Sequence, residues 1–73
     1  LTRDPRSGNF VVLSSLEHGI AAITPGGDVL MAAPLPRRHH QPEGIAITAD
    51  GRLLIADEAA GDRAMLTMYP TAP

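Results

Sequence analysis

Residues 43–58, Glu43-Gly44-Ile45-Ala46-Ile47-Thr48-Ala49-Asp50-Gly51-Arg52-Leu53-Leu54-Ile55-Ala56-Asp57-Glu58, decide how this chain folds. Ile45–Ile47 and Leu53–Ala56 are two short apolar runs, and Ala49-Asp50-Gly51 lies between them. Asp accepts local backbone hydrogen bonds and Gly takes positive φ without steric cost, so together they reverse the chain within a few residues. Two short apolar runs joined by such a turn read as a β-hairpin. Neither run alternates apolar with polar, which marks strands covered on both faces.

Downstream, residues 57–62 read as an acidic loop, and Met65–Tyr69 as a further strand closed by Pro70 and Pro73. The Ala-rich segment 56–66 has a helical alternative, because Ala favours helix. Gly61 argues against it. Upstream, Asp4-Pro5-Arg6-Ser7-Gly8 is a turn, Phe10–Leu13 a buried strand ending at Ser14-Ser15, and Glu17-His18-Gly19 a second turn. Ile20–Thr24 and a strand from Val29-Leu30-Met31 flank the strong turn signal Pro25-Gly26-Gly27-Asp28. Pro34, Pro36 and Pro42 break the pattern, so residues 34–42 read as a linker between units 1–33 and 43–73.

The two units are copies. Gly8–Leu13 aligns with Gly51–Ala56 at an offset of 43, and Ile23-Thr24-Pro25 with Met68-Tyr69-Pro70 at 45. The extra two residues fit in the acidic loop. A period of about 40–50 residues holding several short strands is the signature of β-propeller blades. A blade is sandwiched between neighbours, which explains strands apolar on both faces. The expected fold is therefore all-β: about two incomplete four-stranded antiparallel blades of a larger propeller. The first unit would lack most of its first strand, and the second its last. Two blades cannot close a ring, so the expected partners are further blades or other copies of the chain.

Bulk properties narrow the function. The 73 residues carry a net charge of −2, with one Tyr and one Phe. No basic surplus or aromatic set exists to hold nucleic acid. The absence of cysteine excludes disulfides and thiolate metal sites. No apolar run approaches the ~20 residues of a membrane span, and nothing resembles a signal peptide. Arg37-Arg38-His39-His40 reads as a solvated basic linker. His39 and His40 are adjacent and point apart in an extended chain, and His18 is in another turn, so no zinc site is expected. Ser14-Ser15 has no nucleophile elbow and no base beside it. Met65 and Met68 read as core filler.

The carboxylates are the one cluster with chemical interest. A two-residue turn at Asp50-Gly51 places Glu43 opposite Glu58. A three-residue turn with a Gly bulge instead pairs Thr48 with Arg52 and places Glu43 opposite Asp57. Either register brings Glu43 to the Asp57-Glu58 pair. Like charges facing across a sheet repel, and a cation would relieve them. Oxygen ligands favour Ca²⁺ or Mg²⁺, and Ca²⁺ takes about 6–8 oxygens, more than these side chains supply. The same residues also read as a solvated acidic rim.

Gln41-Pro42-Glu43-Gly44-Ile45-Ala46, followed by residues 49–58, resembles the C-terminal part of the SdiA-regulated (YjiK-like) family of bacterial propellers, relatives of NHL-repeat proteins. Asp4-Pro5, Ser7-Gly8-Asn9 and Val12–Ser15 fit its preceding blade. Ala59, where the family often has Pro, and Ile47, where it often has an aromatic, depart from the pattern. The resemblance implies a calcium site at Glu43, Asp57 and Glu58, a bacterial cell-envelope or periplasmic setting, and a non-enzymatic binding or scaffold module. A metal-dependent gluconolactonase-like hydrolase is the alternative, with the ion acting on a carbonyl.

Overall fold

A computed structural model describes residues 1–58 and 63–73. Among the described residues the chain is all-β, with two antiparallel sheets and no helix. The first sheet is a meander of β1 (Thr2–Arg3), β2 (Phe10–Ser14), β3 (Gly19–Ile23) and β4 (Val29–Pro34), in that order. The second is a meander of β5 (Pro42–Ile47), β6 (Leu53–Asp57) and β7 (Met65–Tyr69). The helical alternative over 56–66 is replaced by β6 and β7 at its ends. The expected loop residues Ala59, Ala60, Gly61 and Asp62 lie outside the described residues.

One hairpin device recurs. In Ile23-Thr24-Pro25-Gly26-Gly27-Asp28-Val29, the Thr24 amide donates to Asp28 O (2.8 Å) and the Gly27 amide to Thr24 O (2.9 Å). In Ile47-Thr48-Ala49-Asp50-Gly51-Arg52-Leu53, Thr48 donates to Arg52 O and Gly51 to Thr48 O, both at 2.9 Å. Each threonine hydroxyl also accepts the amide four residues on. The glycine of each loop is left-handed, Gly27 at φ 96° and Gly51 at φ 89°. This is the three-residue loop with a glycine bulge, and it selects the register that pairs Thr48 with Arg52.

Gly51 carries a second constraint. A Cβ there would run into the guanidinium of Arg6, which reaches over from the turn between β1 and β2, whereas at Gly27 a Cβ would meet open space. Gly51→Ala is expected to cost about 1–3 kcal/mol from its backbone conformation, and more than Gly27→Ala. Thermal melts of the two variants check this, and equal losses would show that Arg6 simply moves aside.

The sheets pack face to face, with β5 lying against β1 and β2. Buried Leu35, Leu53 and Ile55 form the core, with Leu13, Ile20, Ile45, Ile47 and Tyr69 packed around them. Leu35 comes from the linker, and its amide donates to His18 O at 2.8 Å. That hydrogen bond ties the start of the linker to the turn between β2 and β3.

Register sharpens the internal repeat. Phe10 pairs with Ile23, and Leu53 with Tyr69. The equivalence Phe10–Leu53 keeps the offset of 43, but Ile23 corresponds to Tyr69, an offset of 46 and not the 45 expected from sequence. The loop between β6 and β7 is three residues longer than its counterpart, not two.

Because side chains alternate along a strand, these pairings also define the faces. The first sheet puts Val11, Leu13, Ile20 and Ala22 toward the second. The second answers with Ile45, Ile47, Leu53, Ile55 and Tyr69. These two surfaces are not equivalent under the repeat. Val11 and Leu13 correspond to Leu54 and Ala56, and Ile20 and Ala22 to Leu66 and Met68, all on the outward face of the second sheet. Met65 and Met68, expected in the core, are 56% and 54% exposed, because β7 turns Met68 outward and Met65 is its first residue.

Candidate functional site

His39 is fully buried, against the expectation of a solvated basic run. A turn at Arg37-Arg38, in which the His39 amide donates to Pro36 O at 3.1 Å, swings its ring inward while His40 stays exposed. His39 Nδ1 lies 2.6 Å from Asp57 Oδ2, and its Nε2 2.5 Å from the Tyr69 hydroxyl. The His39 and Tyr69 rings are 5.8 Å apart and tilted by 46°.

An ionised carboxylate only accepts, so Nδ1–H donates to Asp57; with the imidazole neutral, the Tyr69 hydroxyl then donates to Nε2. The linker, β6 and β7 are thereby joined by one polar chain. Asp57 is 5% exposed, and its Oδ1 has no hydrogen-bond partner among the described residues. A His–Asp pair can orient a base for catalysis. Here both ring nitrogens are engaged and no edge of the imidazole reaches solvent, so the pair offers no atom to a substrate. Its effect is to hold the linker against the second sheet.

The three carboxylates singled out for a metal are divided. In the regular register Glu43 would oppose Asp57, but a bulge lets Pro42 take that place, while Gly44 pairs with Ala56. Glu43 is the extra residue of the bulge. Pro42 has no amide to donate, and the ladder continues instead through the Glu58 amide, which donates to Gln41 O at 3.0 Å. Alternation sends Asp57 inward to His39 and Glu58 outward beside Glu43. The exposed carboxyl of Glu43 is held above its ordinary value by a hydrogen bond to Glu58 and by the repulsion of that carboxylate.

Glu43 and Glu58 therefore form one solvent-facing pair, and Asp57 belongs to a different, buried site. Among the described residues no group of three or more His, Asp or Glu side chains converges on one point. Asp50, assigned a turn role, is held below the usual carboxylate range by the Thr48 hydroxyl and Arg52. It hydrogen-bonds Thr48 and pairs with Arg52 at 3.0 Å.

His39 and Leu35 were the residues that sequence reasoning missed. Arg37-Arg38-His39-His40 has no periodicity, and nothing in it distinguishes the buried histidine from the exposed one. Tyr69 was placed on a strand, yet its hydroxyl acquires a role only through a partner 30 residues away. Comparison with protein-family models, with curated proteins and with solved structures finds no match to this chain.

Proposed function

We propose that the two sheets are consecutive blades of a β-propeller-type array of the SdiA-regulated kind, serving as a non-enzymatic binding or scaffold module of the bacterial envelope. The observation that carries this reading is the packing of two equivalent meanders through unequal faces. Such packing propagates from repeat to repeat, as in solenoids and propellers. It also explains apolar residues left outside, with Leu66, Met68, Val29 and Leu30 each more than half exposed.

In this reading calcium is a structural ion held at the rim, with Glu43 and Glu58 as its carboxylates and backbone carbonyls and water completing the shell. Asp57 is the buried partner of His39. The test is thermal melting with calcium and with chelator, beside hydrolysis assays on lactones and esters. Calcium is expected to raise the melting temperature, and Glu43→Gln with Glu58→Gln to abolish that rise. A calcium effect unchanged by both substitutions would reject the assignment, and hydrolytic turnover would reject the non-enzymatic reading.

The same pair makes a pH prediction without metal. The Glu43 carboxyl titrates at a higher pH in the folded chain than in the unfolded one, where Glu58 is not held beside it. Between those values the folded state binds the proton more tightly, so stability falls as pH rises through the window and stays lower above it. In chelator, Glu43→Gln should be as stable as the parent below the carboxylate range and slightly more stable at neutral pH. Urea unfolding at both pH values measures it.

A further inference from the structure

We infer that the outward face of the second sheet docks onto the outward face of the first sheet of another copy of this chain, head to tail. The inference rests on the reading of the sheets as equivalent repeats. Inside the molecule, Ile20 on the first sheet packs into the cluster that holds Ile55 of the second. Under the repeat, Ile20 corresponds to Leu66 and Ile55 to Val12. Leu66 and Val12 are therefore the same two halves of one contact, each left without its partner.

The shapes agree with this. Leu66 is 68% exposed and Met68 54%, so the second sheet presents protruding side chains. On the first sheet, Val12, Ser14, Gly19, Ala21 and Ala32 line an open depression of about 390 Å³. Small residues leave that hollow, and it has room for both protruding side chains. A face carrying knobs and a face carrying a hollow cannot satisfy each other within one copy, because they lie on opposite sides of the molecule. Each can find its complement on the next copy, continuing the interface already present between the sheets.

Because the two surfaces differ, the contact is heterologous, and it closes into a ring or runs on as a filament. A ring of about four to eight sheets would hold about two to four copies. An isologous dimer would instead bury the same patch on both copies, and a further repeat of the same polypeptide would leave the chain monomeric.

Sedimentation of the chain over a range of concentrations tests the inference, with circular dichroism confirming β structure. Assemblies of several copies are expected, and a folded monomer at every concentration overturns the proposal while leaving the calcium test of the blade reading intact. Val12→Asp blocks the hollow, and Met68→Asp blocks the knobs. Each variant alone is expected to be monomeric, and an equimolar mixture to form one-to-one dimers, since each retains one good face. A single variant that still dimerises with itself would show an isologous contact and overturn head-to-tail docking. If a variant fails to fold, the wild-type sedimentation still decides.

Discussion

His39→Ala is expected to remove about 3–5 kcal/mol of folding stability, the cost of leaving one partner of a buried pair alone. Asp57 would keep a buried carboxylate with Oδ1 already unpartnered and Oδ2 newly so. The Tyr69 hydroxyl would lose its acceptor as well. A chain of 73 residues has about 4–11 kcal/mol in total, so the variant should lose a large share of it and melt well below the parent. Replacing both members with apolar residues, His39→Phe with Asp57→Leu, should cost much less than the sum of the single changes. No unpaired charge then stays behind. A double-mutant cycle by thermal melting measures the difference. A loss under about 1 kcal/mol for His39→Ala, the range of an ordinary solvent-exposed pair, would show that the linker is not held by this relay.

Ile55→Ala is the second large effect, at about 2–5 kcal/mol for truncating a buried side chain in a well-packed core. Ile55 is 1% exposed and sits at the centre of the contact between the sheets. Its control is Val12→Ala. Val12 occupies the equivalent repeat position, but on the open face beside the depression. In the isolated monomer Val12→Ala should therefore cost well under half as much. Denaturant unfolding of both variants at low concentration gives the comparison. In assembled protein the Val12 variant should also shift the association equilibrium, whereas Ile55→Ala acts within each copy.

Much of the fold was legible because it is local. The two loops ending in Gly27 and Gly51 need positive φ, so turn chemistry alone placed four of the strand ends. Apolar runs between turns placed the strands. The register choice left open at Asp50-Gly51 was settled by hydrogen bonds from Thr48. The site was less legible. Counting back along the hairpin brought Glu43 to Glu58, but the bulge at Glu43 shifts the partner of Asp57 to Pro42. A one-residue shift exchanges the two faces of a strand relative to its neighbour. Three carboxylates adjacent in the sequence pattern thus became one exposed pair and one buried acid.

By itself, the sequence determined an all-β chain of two antiparallel meanders, since apolar runs and turns are set by residues close together along the chain. The tertiary structure alone decided which face of each sheet is covered, which of two adjacent histidines is buried, and where Asp57 points. Those outcomes depend on side chains about 18–30 residues apart meeting in a low-dielectric interior. Nothing in a local pattern records who the distant partner is. For the same reason Val12 and Ile55, matched by the sequence alignment, end on an open sheet face and in the core.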